Sequence, residues 1–339
     1  MPAKLTLALV GCGAISQLHL PAVRKGAPRT AIAAVVDTDA ARAQAMAERT
    51  GARPFTSLDA ALAAGGFDAV DLMLPHHLHE SAAVQCFAAG KHVLLEKPMA
   101  NDVASCERIL AAARRAGTVF QVAENTQYWP EVLAAKRLID DGTLGEVVTA
   151  HASFVLPPMK EFYGGENPWR LDDALCGGGI AVDAGSHWIR PLRMWLGEVN
   201  EVVGALGRPW APMRGESLVR ALLRFRSGIV ASLDGLMKDA PSSSEPMFRL
   251  RGQRADLTIE PAGHAVLWDA AHPGGARLEG EGDAGGYLES FYGQLADFEA
   301  AVLDGRPLAA SAEFALGELR TALALYRSAR SGRWEKVWE

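Results

Sequence analysis

The sequence predicts an α/β protein in which an N-terminal Rossmann dinucleotide-binding domain precedes an α+β domain with a large, mostly antiparallel open sheet. Three observations favour this fold class. The first third alternates short apolar runs with helical stretches, a glycine motif follows the first run, and several strands follow one another after residue 201. At 339 residues the chain is long enough for two domains. We expect a nucleotide-binding domain at 1–123 and a substrate-binding and oligomerisation domain at 124–339, whose C-terminal helices could pack back on the first.

The strands of the first domain are predicted from runs that are too uniformly apolar to have one wet face, as expected of strands covered on both sides. They are Leu5–Val10, Ile32–Val36, Ala69–Leu74, His92–Leu95 and Val119–Val122. Alanine-rich helical segments lie between them, at Asp39–Arg49, Leu78–Ala89 and Val103–Ala116. The last two are followed by glycine, the residue most common just after a helix C-terminus.

The second domain is expected to begin with a helix over Glu131–Asp140 and a strand, before a loop rich in proline and glycine over Leu156–Gly179. Strands then come without intervening helices, which indicates an antiparallel sheet with one face free to pack on a partner. They are Val202–Leu206, Leu218–Phe225, Ile229–Leu233, Phe248–Arg251 and Leu257–Ile259. Helices at Tyr287–Leu303 and Ala312–Ala329 are predicted to close the chain.

Composition excludes several classes of protein. A net charge of −6 argues against a nucleic-acid surface, which would need clustered lysine and arginine. The four cysteines lack zinc-site spacing and suggest a reducing compartment. No apolar stretch reaches the ~20 residues that span a bilayer, and the N-terminus does not resemble a signal peptide. We therefore expect a cytoplasmic protein without a metal, nucleic acid or membrane partner.

A glycine motif follows the first predicted strand and opens a helix. Gly11 permits a tight turn, and Gly13 lets backbone amides approach a pyrophosphate at the positive helix end. Ser16 replaces the usual third glycine and is still small enough for close helix–strand packing. The motif predicts a dinucleotide site that includes Ala14 and Ile15. From these residues alone, a purely structural strand-to-helix turn remains the alternative.

Asp37 ends the second predicted strand, 26 residues after Gly11. A carboxylate at this position can accept hydrogen bonds from the adenosine ribose hydroxyls and would repel a 2′-phosphate, which favours NAD over NADP. Arg42 lies nearby in sequence and could soften that preference, so NADP stays possible. The alternative is that Asp37 only caps the next helix, a role that Asp39 could also fill.

Lys97 follows an apolar strand about 85 residues after the glycine motif, which places a charged amine at the edge of the sheet that faces the nucleotide crevice. Together, and with an acid and a histidine later in the chain, the two features indicate a nicotinamide-dependent oxidoreductase. His76 and His77 precede the next predicted helix and His79 belongs to it. The three histidines lack the spacing and the neighbouring carboxylates of a metal site.

Motifs in both domains resemble those of the glucose–fructose oxidoreductase/inositol dehydrogenase family, often called Gfo/Idh/MocA. Glu96-Lys97-Pro98 matches the Glu-Lys-Pro motif of the fifth Rossmann strand, and Leu74–His79 is similar to the fourth-strand motif, with His76 where asparagine is more common. In the second domain the matching residues are Trp169, Arg170, Gly177, Gly178, Gly179, Asp183, Gly185, His187 and Tyr326–Ala329. The resemblance covers nearly the whole chain.

The resemblance implies an NAD(P)-dependent dehydrogenase or reductase that acts on a secondary alcohol or ketone of a sugar, sugar acid, cyclitol or related polyol. It implies catalytic roles for Lys97, Asp183 and His187, and assembly into a homodimer or homotetramer through the C-terminal sheet. The remaining implied cofactor contacts are Leu74, Pro75, His76, His79, Glu96, Asn125, Trp169 and Arg170, with Lys97 contributing to both roles.

The spacing and chemistry of Asp183 and His187 also suggest a function independently of the resemblance. Four residues apart on a helix, they would share one face, and histidine is the side chain best able to exchange a proton near neutral pH. Such a pair is more often structural, and only the resemblance favours catalysis. Arg190 stands where the family often has aspartate, and on a continuing helix it would reach the substrate and favour an anionic group. Alternatively, Arg190 and Arg193 are solvated charges.

Two other functions remain open at this stage. A non-catalytic dinucleotide-sensing regulator could use the same fold, because fold does not determine function. A family enzyme could also act on a non-sugar substrate such as a dihydrodiol or an imine. The presence of Lys97, Asp183 and His187 together favours an enzyme, since a sensor has no need of a proton-transfer pair.

Overall fold

The computed structural model describes residues 4–164, 168–261, 263–278 and 286–339. They form two compact units, one of Met1–Glu124 with Phe291–Leu316 and the other of Asn125–Ser290 with Gly317–Glu339. Part of a C-terminal helix thus belongs with the N-terminal unit. The division into domains at residue 123 stays a prediction. In these described ranges, no helix has the length and apolar character needed to cross a membrane.

The first unit contains a six-stranded parallel sheet, which confirms the predicted Rossmann architecture. Its strands are β1 Leu5–Val10, β2 Thr30–Val36, β3 Arg53–Phe55, β4 Ala69–Leu72, β5 His92–Glu96 and β6 Phe120–Ala123. Their order is β3-β2-β1-β4-β5-β6, so the direction of winding reverses between β1 and β4. Nucleotides bind beyond the carboxyl ends of the strands at such a reversal. The short strand β3 was not predicted.

Five α-helices lie between the strands of this sheet along the chain, and their ends follow ordinary capping chemistry. They are α1 Ser16–Gly26, α2 Ala40–Thr50, α3 Leu58–Ala64, α4 His79–Ala88 and α5 Val103–Ala116. Asp39, Ser57 and Asp102 accept hydrogen bonds from first-turn amides of α2, α3 and α5. Side-chain oxygens at this position satisfy amides that have no partner within the helix. Asp39 therefore fills the capping role that Asp37 could have taken.

The core of the first unit includes residues from far along the chain. Leu7 and Leu9 of β1 pack in one apolar cluster with Phe291, Leu295 and Phe298 of the helix Gly286–Asp304. A polar contact adds to this packing, because the Thr30 hydroxyl donates to Glu299 at 2.7 Å. The apolar core beside the N-terminal sheet is therefore completed by side chains of the helix Gly286–Asp304.

The second unit contains a nine-stranded sheet that is mostly antiparallel, as predicted. Its strands are β7 Val147–Leu156, β8 Val199–Gly207, β9 Leu218–Phe225, β10 Val230–Met237, β11 Phe248–Gly252, β12 Asp256–Glu260, β13 His264–Trp268, β14 Ala276–Arg277 and β15 Glu335–Lys336. The order is β14-β13-β12-β11-β7-β10-β9-β8-β15, and only the β7–β10 pair is parallel. Buried and partly exposed residues alternate strictly along β10, so one face of the sheet is packed and the other is open.

The helices of the chain from residue 130 onward are α6 Pro130–Asp140, α7 Lys160–Tyr163, α8 Asp173–Cys176, α9 Ile180–Asp183, α10 Ser186–Leu196, α11 Gly286–Asp304 and α12 Leu316–Ser331. The predicted loop over 156–179 thus holds two short helices and a 3-10 turn at Trp169–Leu171. The predicted last helix begins as a 3-10 turn at Ala312–Ala315. Asp183 and His187 lie on separate helices, which corrects the expectation of one continuous helix.

Candidate functional site

The glycine turn after β1 has the shape of a nucleotide loop. Gly11 has φ +95°, and a Cβ atom there would lie 2.2 Å from the carbonyl oxygen of Met73, so only glycine fits. A Cβ atom on Gly13 would meet nothing within 4 Å. Ile15 gives α1 no side-chain cap, and Ala14 and Ile15 are only half-buried. The open side of the turn and the helix N-terminus therefore fit the diphosphate of a dinucleotide.

Asp37 connects the glycine turn to the end of β2. Its carboxylate accepts hydrogen bonds from the backbone amides of Cys12 and Asp39, both at 2.9 Å. Arg42 donates to the same carboxylate from Nη2 at 2.9 Å and from Nε at 3.2 Å. Burial alone would raise the pKa of Asp37, but these hydrogen bonds outweigh it and lower the pKa. The group is thus an anion held beside the turn, and its contact with a ribose stays a prediction.

The segments that follow β4 and β5 are joined by a buried histidine. The ring nitrogens of His79 lie 2.8 Å from the Pro98 carbonyl oxygen and 2.9 Å from that of Leu74. The ring is fully buried and holds these two segments together, and the predicted contact of His79 with a cofactor stays a prediction. His76 is also buried, with its ring 5.5 Å from that of His79, whereas Pro75 is half-buried.

A second buried histidine was not predicted. His19 of α1 lies with Nδ1 2.7 Å from Asp71 of β4 and Nε2 2.9 Å from Glu96 of β5. Burial opposes a charge on this imidazole, but the two carboxylates outweigh burial and raise the pKa of His19 to about 10. Glu96 therefore binds His19, and the half-buried Lys97 follows directly after it.

In the second unit, the glycine-rich segment is held by a glutamate that sequence reasoning missed. Glu216 accepts hydrogen bonds from the amides of Gly179 at 3.0 Å and Ala181 at 2.7 Å, and from the hydroxyl of Tyr326 at 3.0 Å. A Cβ atom on Gly178 would lie 2.0 Å from that hydroxyl oxygen. The conformation of this segment, which leads into α9, thus requires glycine.

Asp183 ends α9 and His187 is the second residue of α10, with Asp183 buried and His187 half-buried. A Cβ atom on Gly185, between them, would lie 2.3 Å from the carbonyl oxygen of Ala181. The Asp183 carboxylate accepts a hydrogen bond from Tyr163 and forms an ion pair with Arg170. The structure thus places a carboxylate and a partly accessible imidazole on either side of a helix break.

Arg190 does not have either of the roles considered for it. Its guanidinium is 2% exposed and donates to Glu318 at 2.8 Å and to Gln127 at 2.5 Å. Arg193 is also buried and is paired with Glu318 and Glu198. A buried arginine bound by a carboxylate is neither solvated nor open to an anionic substrate. Pro191 lies within α10, which stays one helix, so the burial of Arg190 follows from its place on that helix.

Asn125 and Trp169 were predicted to contact the cofactor. Asn125 is buried and donates from Nδ2 to the Ser290 hydroxyl at 2.8 Å. Trp169 lies against the Arg170 guanidinium, whose central carbon is 4.2 Å from the ring centroid. Their roles towards a cofactor stay predictions.

Comparisons with known proteins agree with this geometry. Residues 5–124 match the model of an oxidoreductase family with an NAD-binding Rossmann fold, and residues 132–258 match the GFO/IDH/MocA C-terminal domain. The chain belongs to the GFO/IDH/MocA family. This GFO/IDH/MocA protein is accordingly an oxidoreductase with an NAD-binding domain, as the sequence predicts.

Its relatives include a dTDP-3,4-didehydro-2,6-dideoxy-α-D-glucose 3-reductase from Actinomadura kijaniata, 32% identical over 74% of this chain and 72% of that protein. An uncharacterised oxidoreductase from Rhizobium meliloti is 30% identical over 97% of this chain and 98% of its own length. Among solved structures, the WlbA dehydrogenase from Bordetella pertussis, in complex with NADH and UDP-GlcNAcA, has a TM-score of 0.86 at 25% identity. It covers 98% of this chain and 97% of its own.

Alanine at the two glycines of the turn should have different effects. Gly11→Ala should lower the free energy of unfolding, since a positive φ alone costs a non-glycine residue about 1–3 kcal/mol and the clash with Met73 adds to this. Gly13→Ala, where a Cβ atom meets open space, should keep wild-type stability and bind NADH more weakly. Urea unfolding and NADH fluorescence titration measure the two effects. A Gly13→Ala variant with wild-type NADH affinity would show that the cofactor does not approach this turn.

The His19 pair should make stability depend on pH. The pKa of His19 is higher in the folded protein than in the unfolded chain, so its stabilisation is complete below pH ~6.5. It should be lost as the pH rises towards about 10. The reference is the double variant His19→Gln/Asp71→Asn, which lacks the charged pair. As the pH rises over this range, the wild type should lose its advantage, so the difference in unfolding free energy between the wild type and the double variant, measured by urea titration, should become smaller. A constant difference would mean that His19 is uncharged.

Proposed function

We propose that this protein transfers hydride between nicotinamide and a secondary alcohol, or the matching ketone, of a sugar, sugar acid, cyclitol or related polyol. The observation that carries the proposal is the segment in which buried, ion-paired Asp183 precedes half-buried His187 by four residues. The relatives support the substrate class, because the Actinomadura protein is named as a sugar reductase. The WlbA structure contains NADH with a nucleotide-linked sugar.

The cofactor would be held by the glycine turn, with Gly13 facing its diphosphate and Asp37 facing its adenosine ribose. Leu74 and Pro75, half-buried after β4, would line its nicotinamide half together with Lys97. When bound, the nicotinamide accepts or returns the hydride. The protein itself supplies groups for the proton and for the charge on the substrate oxygen.

In the oxidation direction, His187 would accept the proton of the substrate hydroxyl as the hydride leaves carbon. Lys97 would stabilise the negative charge that develops on the same oxygen through its ammonium group. Asp183, already bound to Arg170, would keep the local geometry of the His187 segment. In the reduction direction the proton moves from His187 to the ketone oxygen.

We also propose assembly into a homodimer or homotetramer through the open face of the second sheet. Leu222 of β9 is 44% exposed on that face and lies opposite Ser232 of β10 and Val203 of β8. Apolar side chains on an open sheet face are often covered by a second subunit. Light scattering at micromolar concentration tests this, and a monomer would contradict it.

Substrate and activity are tested with a panel of myo-inositol, a neutral monosaccharide, a sugar acid, a nucleotide-linked sugar, a cyclic dihydrodiol and an imine, with NAD and NADP. Absorbance of the reduced cofactor reports turnover in either direction. Turnover of a sugar or polyol supports the proposal. Preference for the dihydrodiol or imine would replace the substrate class, and NADH binding without turnover would favour a sensing regulator.

Lys97→Ala and His187→Ala should each lower kcat about 10²–10⁴-fold, the usual contribution of a proton-transfer or charge-stabilising group. NADH affinity should stay near that of the wild type, because the glycine turn and Asp37 are intact. Lys136→Ala and His272→Ala change exposed residues outside both proposed roles and serve as controls. Wild-type kcat in either catalytic variant would contradict the role given to that residue.

Asp37→Ala should shift the ratio of kcat/KM for NAD to that for NADP towards NADP, since it removes the ribose acceptor and the charge that repels a 2′-phosphate. It also releases Arg42, which could then pair with the phosphate. Asp39→Ala, which removes the helix cap and a 3.6 Å contact with Arg42 but keeps the Asp37 carboxylate, is the matched control and should leave the ratio unchanged. An unchanged ratio in Asp37→Ala would mean that NAD preference has another source.

A further inference from the structure

Two side chains with donor groups contact the same oxygen atom of the Asp183 carboxylate, one through a hydrogen bond and the other through an ion pair. The Tyr163 hydroxyl donates to Oδ2 at 3.1 Å, and Nε of Arg170 lies 3.3 Å from the same oxygen. The side chains of Arg170 and Asp183 are 18% and 7% exposed, so water screens the ion pair only weakly. Charge-assisted hydrogen bonds in such surroundings are stronger than those between neutral groups.

Both donors are themselves held by aromatic rings. The central guanidinium carbon of Arg170 lies 4.2 Å from the centroid of Trp169 and 5.1 Å from that of Phe162. The ring of Tyr163 meets Trp210 edge to face, at 6.1 Å and 83°. Stacking of this kind restricts where a guanidinium or phenol can move. Arg170 and Tyr163 therefore have contacts of their own that limit their movement around Asp183.

Tyr163 acts as a donor and not as an acid or base. Burial raises the pKa of its hydroxyl well above the ordinary range, and the charge of Asp183 raises it further. The phenol is thus in its protonated form and can donate to the carboxylate. Such a phenol acts on the Asp183 carboxylate only through the direction and the charge complementarity of its hydrogen bond.

We propose that Tyr163 and Arg170 are positioning residues that hold the Asp183 carboxylate in one orientation for the proton-transfer chemistry at His187. This inference rests on the proposed function, in which Asp183 keeps the local geometry of the His187 segment. It gives Arg170 a different role from the cofactor contact that the family resemblance implies. Neither residue exchanges a proton with the substrate.

A double-mutant cycle in kcat tests the proposal, with the panel substrate that turns over fastest. Tyr163→Phe keeps the ring and removes only the hydroxyl. It should lower kcat about ten- to hundredfold, the factor for a hydrogen bond to a charged group. In an Asp183→Asn background the same change should have no further effect, because Tyr163 acts through the carboxylate. An equal loss in both backgrounds, or wild-type kcat in Tyr163→Phe, overturns the proposal.

Arg170 is tested by comparing lysine and alanine. Arg170→Ala should lower kcat and leave the dissociation constant of NADH unchanged, and Arg170→Lys, which keeps the charge, should recover part of the loss. Arg214→Ala is the control, since Arg214 pairs with Asp172 and its side chain is 69% exposed. Weaker NADH binding in Arg170→Ala would identify Arg170 as a cofactor contact and overturn its proposed role.

A double-mutant cycle in the urea midpoint of unfolding tests this proposal independently of the proposed function, because the measurement needs no substrate. Midpoint shifts of Tyr163→Phe and Asp183→Asn that are less than additive in the double variant support the contact, and additive shifts overturn it. Wild-type kcat in Asp183→Asn, by contrast, overturns the catalytic role of Asp183 under the proposed function.

Discussion

The ion pair of His19 with Asp71 and Glu96 is the interaction on which the nucleotide-binding unit depends. It joins three elements that meet where the strand order reverses: the helix after the glycine turn, β4 and β5. Charges removed from water are tolerated only when they are paired, and breaking one partner typically costs ~3–5 kcal/mol. The pair therefore holds the glycine turn and the segment of Lys97 on one common frame.

In the second unit, buried polar partners likewise stabilise elements that would not be stable alone. An isolated helix as short as α9 does not form in water, because nucleation is costly and few hydrogen bonds follow. Glu216 satisfies backbone amides at its start, and Arg170 and Tyr163 bind the carboxylate at its end. Asp183 thus owes its position to buried polar partners and not to helix propensity.

Sequence patterns predicted what depends on local periodicity. Helix α5 was predicted with its observed bounds, because an alanine-rich segment is followed by a closing glycine, and the structure adds an aspartate cap at its start. Strand β3 was not predicted, because Arg53 and Pro54 leave it no apolar run. The helix break at Gly185 was not predicted, because the four-residue spacing of Asp183 and His187 also fits one continuous helix. His19 pairs with Asp71, 52 residues away, and Glu216 binds Gly179 across 37 residues, so neither partner is visible locally.

The path of the chain has a consequence for its synthesis. The apolar cluster beneath the parallel sheet includes Phe291, Leu295 and Phe298, and the whole of Asn125–Ser290 is translated before them. Domains usually fold in order as they leave the ribosome. Here a nascent chain that has completed all six strands still lacks side chains that cover their face, so the first part of the protein to be made is among the last to be finished.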